Sequence, residues 1–339
     1  AVIKKIDEKE VGGKKKKFTP MLISDSIHLK QKIRRERPDV LVLCNSKVFG
    51  WEPDFRTHAP DPKPYTVSID SNWLFHPTSP YPSAEWVDRY FINIPAPVFQ
   101  LGLKRFGGNY VIAPSYEKKI RVIGLLPSYK RIPRGRVRVI RKKYGIGKDE
   151  KLVFLYTSVG GLVKPVVFDK AIEAARMLRA RGSQVKIIYL GELAKDLPRE
   201  KWVITPKHTS VGDYFEILSS ADLIFQHQGL GTLEQAIAAN VPVIANVKNL
   251  KDERSKYHAH AWEVGPFARA GVCTMFYYDD SVSDIAMKMQ ELLYNRKVRL
   301  EIIQKQKKLY SVGEKKMFNE IIKHYFIHEK IAHRTNRTS

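Results

Sequence analysis

Beyond Pro127 the chain alternates short apolar runs with helical periods, and few folds accommodate that alternation. VFLYT (153–157) leads to the helical period FDKAIEAARMLRARG, then to KIIYLG (186–191) and WVITP (202–206). The helical DYFEILSSA follows, then LIFQ, the helical TLEQAIAAN and VPVIANV. Repeated strand, helix, strand units with short connections close as right-handed crossovers, so this half is expected to form a doubly wound parallel sheet. In the first third too the runs are short and β-rich, and most lack strict alternation, as strands covered on both faces of a parallel sheet do.

The first third carries runs of the same character: VLVLCN (40–45), YTVSID (65–70), YFINIP (90–95), YVIAP (110–114) and IRVIGLLP (120–127). Between them lie a helical segment, SIHLKQKIRRE, and two proline-rich loops at 53–64 and 75–82. Loops of that length in a compact domain usually bind something. A chain of 339 residues is long enough for two cores. The expected organisation is a Rossmann-like domain over 1–126, a second over 127–310, and a C-terminal helix and tail over 311–339. The boundary is placed near Leu126 to Arg131, where Pro127 and Pro133 interrupt two regular regions. The C-terminal stretch reads as amphipathic helices, DIAMKMQELLYN and KKMFNEIIKHYFIHEK.

Composition narrows the function classes. The longest apolar runs, 152–156 and 241–247, fall short of the ~18 residues a membrane-spanning helix needs. The opening AVIKKIDEKE lacks the apolar core of a secretion signal. Cys44 and Cys273 each sit inside an apolar run, which implies no disulfide framework and a reducing, cytoplasmic setting. The net charge is +24, and between Lys118 and Lys148 there are twelve basic residues and no acidic one. Such a field attracts phosphates on lipid, nucleic acid or substrate, although a solvated basic surface is an equal alternative. With Trp73, Phe75, Tyr81 and Trp86 in and beside a proline-rich loop, peripheral association with an anionic membrane surface is expected. Nucleic acid is not the expected partner, because only charge supports it and no recognised binding motif occurs.

The stretch ADLIFQHQGLGTLEQAIAANVPVIANV (221–247) carries the chemistry. Ligands of open parallel sheets bind outside the carboxyl ends of the strands, and His227 stands just past one. Gly229 and Gly231 let the backbone turn sharply and approach a ligand, and Thr232 falls where a helix begins. The free N–H groups and positive dipole end of that helix suit a diphosphate. A second loop, TSVGGL, offers Ser158, Gly160 and Gly161. Either loop alone is as often a tight connection; two in one domain could grip one nucleotide.

The run H-x-G-x-G-T, a helix and then N-V-P-V-I resembles the donor-site signature of glycosyltransferases of the GT-B fold, which have two facing Rossmann-like domains. It is most similar to the peptidoglycan N-acetylglucosaminyltransferase family and its nucleotide-sugar-using relatives. FLYTSVGG resembles the first strand and loop of their C-terminal domain, IRVIGLLPSYKR their linker, and PYTVSIDSN a mid-sheet strand of their N-terminal domain. The resemblance covers most of residues 38–295. It implies an α/β protein of two doubly wound parallel-sheet domains, acceptor-side first and donor-side second. It further implies inverting transfer of a sugar from a nucleoside diphosphate, a UDP-sugar, to an acceptor that can be polyprenyl-linked. The donor is a co-substrate, and neither a separate cofactor nor a metal is expected.

By that resemblance His227 and Thr232 face the diphosphate, and Gly229 and Gly231 bring the backbone to it. The main chain near Val203 and Ile204 reads the base. Asp70 and Asn72 fall where the first domain reaches toward donor and acceptor, with Asp70 the candidate base and His28 and His76 its rivals. Two departures stand out. A gapless count from His227 to Pro242 puts the family's ribose-binding glutamate on Gln235, with Glu234 one residue early. One residue is about 100° of helix rotation, so Gln235 is expected to face the ribose. Family members also open with a strand and glycine-rich loop not seen before Asp39, so the first domain is expected to be incomplete, or completed by a partner chain. In NLKDERSKYHAHAW, Asp252, Glu253, His258 and His260 are candidates for holding sugar hydroxyls; the H-A-H pair lacks the companions of a metal site. The rival enzyme is a nucleotide-sugar 2-epimerase of the same fold, which would need several carboxylates in the cleft.

Overall fold

A computed structural model of the chain describes residues 9–11, 14–16, 35, 39–44, 64–70, 87–103, 118–126, 132–157, 164–190, 200–206, 210–227, 229–247, 259–310 and 313–335. The helix expected over SIHLKQKIRRE (apart from Arg35), the strand YVIAP and both proline-rich loops (apart from Pro64) lie outside those residues.

A short antiparallel hairpin joins β1 (Lys9–Val11) to β2 (Lys14–Lys16). A parallel sheet follows from β3 (Val40–Cys44), β4 (Tyr65–Asp70), β5 (Arg89–Ile92) and β6 (Ile120–Val122), whose strands lie side by side in sequence order. Strand residues alternate between faces. Tyr65, Val67 and Phe91 build one buried layer with Ile123. Tyr90 and Ile92 face the opposite way, into a core shared with Val98 and Phe99 of α1 (Ala96–Leu103). The run YFINIP therefore supplies a strand only as far as Ile92, and its last residues turn toward α1.

The second sheet has six parallel strands in the order β12 (Thr274–Phe276), β11 (Val243–Asn246), β10 (Leu223–His227), β7 (Lys151–Tyr156), β8 (Val185–Leu190) and β9 (Val203–Ile204). The order reverses between β7 and β10, as a doubly wound sheet requires. Its central strands are buried on both faces, which explains their unbroken apolar character. On one face α3 (Lys164–Ala180) and α7 (Val282–Tyr294) cover Val153, Leu155 and Phe225 through Ala171, Ala175, Ile285 and Met289. The other face is packed by α2 (Arg134–Lys143), α4 (Val211–Ser220), α5 (Leu230–Ala239) and α6 (Ala259–Arg269).

The basic run RGRVRVIRKK proves to be helix α2. Ile140 is its buried anchor, and three of its cations are used internally. Arg141 is 3.0 Å from Asp222, Arg136 2.6 Å from Glu216 and Lys143 3.3 Å from Asp213. Helix α4 opens on a reciprocal capping box between Ser210 and Asp213. Hydrogen bonds from Ser210, reinforced by Lys143, hold the Asp213 carboxyl down at about 2.

Two last helices, α8 (Arg296–Leu309) and α9 (Gly313–Thr335), end the described chain, and α9 returns to the first sheet. Gly313 donates its N–H to the Leu125 carbonyl at 2.9 Å. Lys316 donates to the Val122 carbonyl at 2.6 Å, and Met317 and Ile321 cover the layer of Val67 and Phe91. A side chain at position 313 would meet the Gly124 carbonyl oxygen at 2.8 Å, so the crossing needs glycine. Among the described residues no helix is long and apolar enough to cross a membrane.

Candidate functional site

The carboxyl ends of β7 and β10 flank the point where the strand order reverses, the place where open α/β sheets hold ligands. Strand β10 ends at His227, which is 4% exposed and lies in register opposite Asn246 of β11. Asn246 is fully buried and spends its amide N–H groups on the carbonyls of Phe276 and Tyr277, at 3.2 and 2.9 Å. Its Oδ1 is buried with no hydrogen-bond partner among the described residues. A histidine and an asparagine thus stand side by side at the sheet's carboxyl edge.

From there the chain turns into α5 through Gly229, whose φ of +112° is open to glycine and strained for other residues. Gln226 fixes the turn by donating Nε2 to the Gly229 carbonyl at 3.1 Å. Among the described residues no side chain caps α5, whose N-cap is Gly229. Among the described residues nothing lies within 4 Å of a Cβ built on Gly229 or Gly231. A helix N-terminus with its dipole end and free N–H donors is chemically suited to an anion.

Helix rotation sends the next side chains apart. Gln235 turns toward α4, where the Tyr214 hydroxyl donates to its Oε1 at 2.7 Å and lies 3.3 Å from the Thr232 hydroxyl. Burial pushes the Tyr214 phenol upward, so it remains a donor. Tyr156, at the end of β7, meets the Tyr214 ring edge-on at 5.2 Å. Glu234 turns the other way, toward the first sheet. It is 5% exposed, and Asn93, just past the end of β5, donates Nδ2 to its Oε1 at 3.4 Å. Burial alone lifts the Glu234 carboxyl to about 8.

Of the residues singled out in the sequence, His227, Gly229, Gly231, Thr232 and Gln235 are gathered around the start of α5. Val203 and Ile204 form the edge strand β9, two strands from β7. Asp70 closes β4 in the first sheet. Asn72, Ser158, Gly160, Gly161, Asp252, Glu253 and His258 lie outside the described residues, and His260 falls in the first turn of α6. Sequence reasoning missed Asn93, Tyr214 and Asn246. Asn246 was visible as a polar residue at the end of an apolar run, and Asn93 was hidden by reading YFINIP as continuous strand. Among the described residues no group of three His, Cys, Asp or Glu side chains is placed to hold a metal ion.

No protein-family model and no curated protein matches the chain in sequence. Its structure is similar to that of S. aureus MnaA solved with UDP, at 15% identity and a TM-score of 0.61, over 89% of this chain and 80% of that one. A Listeria monocytogenes protein assigned as a UDP-N-acetylglucosamine 2-epimerase matches at 15% identity and 0.61, over 89% and 78%. The kitacinnamycin glycosyltransferase matches at 13% identity and 0.58, over 88% and 79%. The chain has the GT-B fold that these neighbours represent.

Proposed function

We propose that this GT-B chain is a glycosyltransferase that binds a nucleoside-diphosphate sugar, a UDP-sugar, with its diphosphate at the start of α5. The observation that carries this reading is the uncapped, glycine-entered α5 N-terminus beside the strand-order reversal. His227 and Thr232 flank that N-terminus, and the main chain of β9 lies on the side where a base would extend. The acceptor approaches from the first sheet, where Asp70 ends a strand.

In an inverting transfer the acceptor hydroxyl gives its proton to the Asp70 carboxylate and attacks the anomeric carbon, and the bond from that carbon to the diphosphate breaks on the opposite face. The departing charge falls on the α5 donors and dipole, so the chain's own groups stabilise it. A polyprenyl-linked acceptor fits an anionic membrane surface near the cations of α2 that remain exposed, Arg138 and Lys142. The test is thermal stabilisation by UDP, followed by product analysis with UDP-sugars and a lipid-linked acceptor; no stabilisation by any nucleoside diphosphate rejects the reading.

A 2-epimerase of the same fold is the second reading, favoured by the two neighbours of highest TM-score cited above. It predicts turnover of the UDP-sugar at C2 with no acceptor present.

A further inference from the structure

Helix α9 crosses the first sheet from Leu125, past the end of β6, to Arg89, the first residue of β5. There Arg89 Nη2 lies 2.9 Å from Nδ1 and 2.8 Å from Nε2 of His324, across 235 residues of sequence. Arg89 Nη1 donates to the Lys118 carbonyl at 2.9 Å, which fixes the guanidinium against the sheet. A guanidinium carries N–H donors and no acceptor, so its contact with His324 is a hydrogen bond only while a ring nitrogen keeps its lone pair. The geometry is that of a neutral imidazole. With both ring nitrogens protonated, the same approach would set donor against donor and cation against cation.

We propose that His324 is a proton-operated clasp for α9: neutral, it takes the Arg89 guanidinium and fastens the helix to β5, and protonated, it loses that bond and loosens the helix there. The clasp is independent of the donor reading, because it sits at the amino-terminal edge of the first sheet, opposite the edge where Asn93 meets α5. The start of α9 does not rely on it. Gly313 donates to the Leu125 carbonyl and Lys316 to the Val122 carbonyl, and Met317 and Ile321 pack on the layer of Val67 and Phe91. His324 continues the same helix face three residues after Ile321. The helix is thus held first by backbone and apolar contacts, and then by a bond that one proton removes.

The surrounding charges favour release on protonation. Arg89 of β5, Arg121 of β6 and Lys323 of α9 itself all oppose a charged ring. Glu320 of α9 favours one, at 3.5 Å from Nε2, but it also faces Arg121 at 3.9 Å. Asp88, just before β5, is engaged by the Thr66 N–H at 2.7 Å. On β4, burial pushes the Tyr65 phenol up to about 12, so it carries no charge in acid, and Asp39, before β3, stands one strand further out. Burial and then Arg89 hold the His324 ring below its ordinary 6.5, the direction the contact requires. A base lowered on folding contributes stability that is complete above its unfolded value and is lost as pH falls below it. The clasp is therefore closed at neutral pH and opens in acid.

The measurement is amide hydrogen exchange of the full chain, without nucleotide, at pH 7.5 and pH 5, each corrected for intrinsic exchange. Peptides of α9 report the clasp and peptides of the second sheet serve as the internal reference. In the wild type, α9 protection is expected to fall about tenfold at pH 5, the scale of one hydrogen bond to a charged group, while the second sheet keeps its own. H324Q offers Arg89 a neutral acceptor at every pH, so its α9 protection should be equal at the two. R89L should show lowered protection already at pH 7.5 and no further loss in acid. By NMR titration the His324 ring should ionise at higher pH in R89L than in the wild type. Unchanged wild-type protection at pH 5, an H324Q that loses protection in acid as the wild type does, an R89L as protected as the wild type at pH 7.5, or a ring that titrates alike in both would each overturn the clasp.

Discussion

The Tyr214 hydroxyl donates to Gln235 Oε1 at 2.7 Å, so the amide oxygen of Gln235 is taken by the protein and its side chain is oriented from α4. A glutamine amide carries donors as well as an acceptor, where a carboxylate carries only acceptors. Gln235→Ala should therefore weaken nucleotide binding by about 1 kcal/mol, the scale of one hydrogen bond, and Tyr214→Phe by a smaller amount, because the amide is no longer oriented. Calorimetric titration with UDP measures both. A loss on Glu234→Ala with none on Gln235→Ala would place the ribose on the other side of the helix.

The seat itself can be probed through its glycines. UDP at 100 times its dissociation constant should stabilise the chain by about 2.7 kcal/mol. Gly231→Leu has room for its Cβ and so should keep the fold while blocking the shift. Gly229→Ala forces a side chain onto a φ of +112° and should cost on the order of 1–3 kcal/mol of stability even without ligand. Thermal melts with and without UDP separate the two effects.

Stability should depend on pH through Glu234. Its folded-state value, raised to about 8 from 4.5, means that the unfolded chain releases this proton first. The Glu234 contribution is complete below about pH 4.5 and is lost as pH rises toward 8, at about 1.4 kcal/mol per pH unit inside that window. Glu234→Gln has no such proton to lose, so denaturant melts of the two proteins should diverge between pH 5 and 8, with the variant the more stable at the alkaline end. Parallel curves would show that Glu234 ionises normally in the folded chain.

Turnover should depend on Asp70. Replacement by Asn removes the proposed proton acceptor and should lower kcat by roughly 10²-fold or more while the dissociation constant for UDP stays within a factor of a few. Full turnover in Asp70→Asn would move the base to another group.

Binding to anionic vesicles should weaken with salt if the exposed cations of α2 carry it. Arg138→Glu together with Lys142→Glu, both exposed on α2, should reduce co-sedimentation with such vesicles at low salt. Retention that ignores salt, or no retention at all, contradicts an electrostatic contact.

Five strands of the second sheet were legible as short apolar runs, β7, β8, β10 and β11 beside helical periods and β9 directly after β8, whereas the three-residue β12 was not read. The turn into α5 was legible because Gly229 and Gly231 interrupt the pattern just past His227. The direction of Gln235 and Glu234 was partly legible: their divergence follows from helix rotation, but their partners do not. Tyr214 lies 21 residues from Gln235 and Asn93 lies 141 residues from Glu234, and no local pattern relates such pairs. Helix α2 was obscured by its own charge, because its amphipathic signal rests chiefly on Val137 and Ile140 among six cations. Its acidic neighbours on α4 become visible only once the chain has folded.

The return of α9 to the first sheet has a consequence for how the protein is made. Val67, Phe91 and Ile123 are covered by Met317 and Ile321, and Met317 is synthesised 317 − 123 = 194 residues after Ile123. At typical synthesis rates of about 5–20 residues per second, that apolar layer waits roughly 10 to 40 s for its cover. During that interval the nascent first sheet is the surface on which a chaperone, or another nascent copy, would settle.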